Sequence, residues 1–316
     1  MPRYWIGKLR TLGLPLLLSS LALMLACGTA ATPTPTSGPP ATPDTAGTAV
    51  PSAEPTATTA PAQPADSQGT PKVNKLIMGL GTPGWETNLV WAGSVDHHSQ
   101  HDLVMEALVD IDPETNLWAP ELAHKWEMSP DGRAWTFWLN KGVQFHDDWG
   151  EFTAKDVAHS VAMVQRDDSL LAFNSAFQEI DRVEVIDDYQ VVLHLKSPDP
   201  DYLFYVAPSG GMLMQSKALW DAKGLDGYQE KIIGTGPYLY QGRVLGQSIS
   251  YERLPQHWRL NPVPDWPEFE IRWLPEDATR QAALLTGEIH VTELPRSLTD
   301  DAVGRGMKLI ANTSPT

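Results

Sequence analysis

Cys27, the cluster His97-His98-Ser99-Gln100-His101 and four adjacent aspartate pairs are the groups in this 316-residue chain whose types suggest chemistry. His97 and His101 stand four apart and would share one face of a helix, as zinc ligands do. No third ligand or supporting carboxylate accompanies them in the sequence, so solvated polar residues at a helix start are the better account, and no metal is expected. Asp147-Asp148, Asp167-Asp168, Asp187-Asp188 and Asp300-Asp301 are neighbours in sequence. They read as turn and loop residues, since a general acid and its base partner must face each other across a reacting bond. Neither a Gly-x-Ser-x-Gly elbow nor a His-Glu-x-x-His helix is present. Exposed tryptophans such as Trp118, Trp149 or Trp266 could stack on sugar rings, which makes a carbohydrate-binding surface protein the second class to weigh. An enzyme is not expected, and no cofactor is implied.

Composition narrows the partners. The chain holds 39 acidic and 23 basic residues, a formal charge of −16, and so lacks the basic face that would neutralise nucleic-acid phosphates. One cysteine permits no internal disulfide and no cysteine-based zinc cluster.

Three pieces follow one another along the chain. In residues 1–27, Arg3, Lys8 and Arg10 precede an uncharged apolar run, Leu12 to Ala26, interrupted by Pro15. That run is shorter than the roughly 20 residues a spanning helix needs, and it reads as an export signal. It ends in Leu23-Met24-Leu25-Ala26-Cys27-Gly28, which resembles a bacterial lipobox. By that resemblance Cys27 is lipidated and becomes a membrane tether rather than a nucleophile. Residues 28–71 contain ten prolines, eleven threonines and no aromatic residue. Such a segment cannot offset its own ordering entropy and is expected to be a disordered stalk. The charges of these two pieces cancel, so residues 72–316 carry the whole −16.

Within 72–316 the hydrophobic pattern predicts mixed α and β elements. Lys75 to Gly81 reads as a buried strand ending in glycine, and His101 to Asp110 as an amphipathic helix through Leu103, Val104, Ala107 and Leu108. Two hairpins are expected, over Trp126–Leu139 around Ser129-Pro130-Asp131-Gly132 and over Arg182–Leu195 around Asp187-Asp188. Between them Thr153 and Asp156 form a capping box for a helix carrying Val157, Val161 and Val164. Gly234-Thr235-Gly236-Pro237-Tyr238 lacks the lysine of a phosphate loop and reads as a tight turn into a strand. Ile271–Leu274 is a strand, and Asp277 is expected to cap a helix that ends at Gly287.

Several of these segments form an ordered series. It runs from Glu106-Ala107-Leu108-Val109 through Ala119-Pro120-Glu121-Leu122-Ala123 to Lys141-Gly142-Val143-Gln144-Phe145-His146-Asp147 and Phe152-Thr153-Ala154-Lys155-Asp156-Val157. It continues with Gly234 to Tyr238, Pro255 to Trp258, and Pro275-Glu276-Asp277-Ala278-Thr279-Arg280 with Leu285 to Ile289. The series resembles solute-binding protein family 5, the extracytoplasmic receptors for peptides, nickel chelates and some sugars that serve ABC importers. The resemblance implies an α/β fold: a type II periplasmic-binding-protein-like clamshell with a mixed sheet and flanking helices. It also implies a ligand enclosed between two lobes, an ABC permease as partner, and an extracytoplasmic location. Members of the family run considerably longer, so the chain is expected to hold the first lobe only and, as a truncated receptor, to bind ligand weakly or not at all. The first lobe's contribution is expected from Gly81, Thr82 and Trp85 after the first strand, where open backbone could pair with an extended peptide. Ser209 and Gly210, before Met212–Met214, are expected at the cleft edge.

Overall fold

The computed structural model describes residues 73–93 and 99–310. The export segment, Cys27, the stalk, His97 and His98 lie outside the described residues.

A five-stranded mixed sheet is built from β1 (Lys75–Leu80), β8 (Tyr238–Val244), β9 (Ser248–Arg253), β10 (Glu268–Trp273) and β11 (Val291–Thr292), in the order β11-β1-β10-β9-β8. β1 is parallel to both β10 and β11, whereas β9 runs antiparallel to its neighbours β10 and β8. The crossover from β10 to β11 passes through α4 (Asp277–Thr286) and places β1 between them. α4 ends at Gly287, which adopts φ 79°, as its glycine predicts. Asp277 is the first helical residue and Glu276 precedes it as the cap, so the helix begins one position earlier than the sequence pattern suggested.

A second, antiparallel sheet holds β4 (Ala123–Met128), β5 (Ala134–Leu139), β6 (Ile180–Asp187) and β7 (Gln190–Leu195) in the order β4-β5-β7-β6. Both expected hairpins are here. Period-two alternation turns Trp135, Phe137 and Leu139 inward with Val191, Leu193 and Leu195. Against them packs α1 (Ala154–Val164) through Val157, Val161 and Val164. A short ladder of β2 (Val109–Ile111) and β3 (Trp118–Pro120) leads into this sheet. α2 (Asn174–Phe177) and α3 (Lys217–Glu230) follow, the latter broken at Gly224, and α5 (Arg296–Gly304) closes the described chain.

Asp156 joins α1 to α3. Its Oδ2 accepts the Thr153 N–H at 2.8 Å and the Thr153 hydroxyl at 2.9 Å, and its Oδ1 accepts the Lys217 N–H at 2.9 Å. Asp156→Ala leaves all three donors unmatched and is expected to cost about 2–4 kcal/mol, read as a lower urea midpoint at unchanged m.

The sheets carry separate apolar cores, one around Phe137, Phe152, Phe177 and Tyr202 and the other around Ile249, Tyr251, Phe269 and Ile271. Extended segments lie along the seam and feed alternate side chains to each core. Val90 goes to one while Leu89 and Trp91 go to the other, and Leu213 is likewise separated from Met212 and Met214.

The segment His101–Asp110 belongs to this seam and is not the expected helix. After one turn at His101–Val104 it runs extended into β2. Its backbone is claimed from outside: the N–H groups of Gly236, Tyr238 and Met214 donate to the carbonyls of Val104, Leu103 and Glu106. Residues 104–109 are buried on every side. A one-faced helix reading therefore fails, because tertiary partners replace the intrahelical bonds. This approach is close enough to require glycine at residue 234, where a Cβ would fall 2.1 Å from the Val104 carbonyl oxygen.

Candidate functional site

The carboxyl ends of β1, β10 and β11 converge on one side chain. Arg280, in the first turns of α4, is buried and turns inward instead of lying on the surface. Its Nη1 donates to the carbonyls of Leu274 (2.7 Å) and Pro275 (3.0 Å), directly after β10, and its Nε to that of Glu293 (3.3 Å), directly after β11. Nη2 pairs with Asp277. A Cβ on Gly81, the residue after β1, would stand 3.5 Å from Arg280 Nη1. The guanidinium's rigid fork of donors thus ties two strand ends and lies against the end of β1, at the place where an open α/β sheet presents its ligand crevice.

The loop after β1 is held from the opposite side. Arg243 on β8 donates through Nη2 to Thr87 O (3.1 Å) and Asn88 Oδ1 (3.0 Å), and through Nη1 to Gln100 Oε1. Gln100 is fully buried and donates to Pro83 O at 2.8 Å. Both oxygens of Glu86 accept the Gly246 N–H, at 2.8 and 3.0 Å. The turn joining β8 to β9 is consequently fastened beside the loop, while Thr82 and Trp85 remain exposed.

Beside these strand ends lies an open groove of about 720 Å³, bordered by Leu80, Thr292, Glu293, Leu294 and Lys308. Its size falls in the range of about 300–1,000 Å³ typical of small-molecule sites.

Of the expected ligand residues, Gly81 and Thr82 directly follow β1, and Thr82 and Trp85 are exposed in the loop after it, outside the lining of the groove. Ser209 and Gly210 have different neighbours: Ser209 is exposed, and Gly210 is buried where a Cβ would meet the Phe204 carbonyl oxygen at 2.3 Å. Gly210 donates to Ala207 O at 3.0 Å, making a tight turn within the first core. Arg280 and Arg243 position the mouth, yet sequence pattern did not single them out as site residues. Arg280 stands three residues after Asp277, a spacing that ordinarily describes a surface ion pair.

The most strongly perturbed carboxyl at the seam belongs to a buried polar knot. Glu106 Oε2 accepts from Thr235 Oγ1 (2.8 Å) and Trp258 Nε1 (2.7 Å), and its Oε1 faces Arg259 Nη2 at 3.3 Å. Glu121 shares that guanidinium at 3.0 Å and accepts the Ala107 N–H at 2.9 Å. Burial, reinforced by the nearby Glu106 charge, pushes the Glu121 carboxyl up to about 9 even though Arg259 pulls it down. Perturbed acid pairs often mark catalysis. In this pair all four oxygens already face protein donors.

No group of three or more His, Cys, Asp or Glu able to hold a metal ion occurs among the described residues. His101 is buried against Asn88, with Nε2 at 3.3 Å from the carbonyl oxygen. Of the tryptophans proposed for sugar stacking, Trp149 and Trp266 pack half-buried on the two cores, and Trp118 is only 37% exposed.

A mixed sheet of this order, with parallel strand ends opening on a mouth and a second antiparallel sheet packed alongside, defines one lobe of a type II periplasmic-binding-protein fold. The mannopinic-acid-bound binding protein MoaA of A. tumefaciens R10 superposes with a TM-score of 0.61 at 25% identity, over 70% of this chain and 45% of that one. The chain belongs to the bacterial extracellular solute-binding proteins, family 5, whose middle-region model matches residues 118–315. Similar curated proteins include di/tripeptide-binding protein 2 of Pseudomonas aeruginosa, 30% identical over 65% of this chain and 42% of that protein. The dipeptide-binding protein of Escherichia coli is 29% identical, over 68% of this chain and 43% of that protein. The chain therefore spans less than half the length of these relatives.

Proposed function

We propose that this chain contributes the first wall of an extracytoplasmic receptor that captures peptides or similar small solutes for an ABC permease and performs no chemistry on them. The observation that carries the reading is the mouth at Gly81–Thr82, where Arg280 fixes the ends of β10 and β11 and the exposed Thr82 follows β1 beside a groove of ligand size. An extended peptide laid there would pair through its main chain and leave specificity to its side chains. Among the described residues no helix is long and apolar enough to cross a membrane. The lipobox-like end of the apolar run supports attachment through an acylated Cys27, with residues 28–71 as the stalk.

A ligand resting on one wall stays largely solvated, and binding by this chain alone is expected to be weaker than about micromolar. Calorimetry of the 316-residue protein with alanine di- and tripeptides tests this. Millimolar binding supports the reading, and no binding to any peptide at 10 mM overturns it. The tether is tested separately by labelling expressing cells with radioactive palmitate. Label should enter the native protein and be absent from Cys27→Ser; equal labelling of both would remove the anchor.

A further inference from the structure

One apolar feature at the mouth belongs to neither core. Trp85 is 56% exposed, Leu245 is 71% exposed and Val244 is 51% exposed. They come from segments some 160 residues apart in sequence, yet the two segments are joined where Glu86, next to Trp85, binds the N–H of Gly246, next to Leu245. Arg243, on the far side of Val244, holds Thr87 and Asn88.

The position is set by strand register. β9 pairs antiparallel with β10, so the β8–β9 turn falls at the carboxyl end of β10, where Trp273 N–H donates to Gln247 O at 2.8 Å. β10 in turn pairs with β1, so the same turn lies at the end of the sheet where β1 runs into Gly81–Thr82, and the loop after β1 reaches it at Glu86. Large apolar side chains held out into water by a polar brace are costly to leave uncovered and are pre-organised for contact. A peptide running along Gly81–Thr82 sends alternate side chains to opposite sides of its backbone, one set of which passes the Trp85–Leu245 pair.

We infer that Trp85 and Leu245 form a side-chain subsite selecting peptides with an aromatic or large aliphatic residue. This rests on the reading of the mouth as a peptide-binding wall and adds the class of side chain it prefers. The loop and the turn are fastened to each other through Glu86 and Gly246, which sets the spacing of the two segments.

The test is ligand-observed NMR titration of the 316-residue protein with Ala-Phe-Ala, Ala-Leu-Ala and Ala-Ala-Ala. Covering a good part of a phenyl or isobutyl group should tighten binding by roughly tenfold over Ala-Ala-Ala. In Leu245→Ser, and separately in Trp85→Ser, that preference should shrink to within about twofold. The indole N–H resonance assigned to Trp85, by its absence in Trp85→Ser, should shift with Ala-Phe-Ala. Equal affinity for all three peptides in the native protein overturns the subsite while leaving the peptide wall intact, as does a preference that survives both substitutions. No binding to any of the three removes the wall and the subsite with it.

Discussion

Glu106→Gln is expected to destabilise the protein by about 2–3 kcal/mol, because a buried acceptor of charged and neutral donors is lost while the partly exposed Arg259 keeps a second acid. Arg259 would retain only Glu121, while Thr235 and Trp258 would lose the carboxylate oxygen that both now address. Urea unfolding should show a lower midpoint, and an unchanged midpoint would refute the assignment of the knot as a structural tie. Glu121→Gln separates the two acids by pH. Free in the unfolded chain, Glu121 releases its proton near 4.5; folded, it keeps it to about 9. Between those values the folded state binds the extra proton, so Glu121 makes stability fall as pH rises from about 5 to 8.5. The Gln variant should lack that component and show a flatter profile. His146 and His159, held neutral by burial, act in the opposite direction below their ordinary 6.5. They are common to both proteins, so the difference between the curves isolates Glu121. Parallel curves would show that Glu121 ionises normally.

Arg280→Met should have the second large effect, about 2–4 kcal/mol, because carbonyls after β10 and β11 lose their donors together. Unlike the knot variant it acts at the mouth. Hydrogen exchange should accelerate at residues 274–276 and 291–294, and affinity for alanine peptides should drop along with stability. Arg280→Lys restores charge without the fork and should recover only part of the loss. Exchange confined to global unfolding, with strand ends as protected as before, would show that Arg280 does not fasten them.

The difference between the two variants reflects where each guanidinium sits. Arg259 joins the two sheets through acids on the seam, so its loss is felt by the whole molecule. Arg280 joins strand ends around open space, so its loss is felt first by whatever rests there.

Local pattern was sufficient for elements whose partners are near in sequence. The hairpins around Ser129-Pro130-Asp131-Gly132 and Asp187-Asp188, the helix after Thr153 and the stop at Gly287 are written in turn chemistry, alternation and capping, which act over a few residues. The family was legible as well, because its motifs recur in order, and Gly81, Thr82 and Trp85 could be placed after the first strand. His101–Asp110 departs from the expected helix because three of its carbonyls are claimed from more than 100 residues away, by Met214, Gly236 and Tyr238.

What the sequence determined by itself was the acidic α/β character, the local elements and the family. Only the tertiary structure decided that Arg280 turns inward to the strand ends and that Glu106 and Glu121 share Arg259. It alone joined the segment of Leu245 to that of Trp85 through Gly246 and Glu86. Each of these depends on strand order and register, which side chains separated by 100 or more residues settle jointly, and a reading along the chain registers spacing but not which distant donor meets which acceptor.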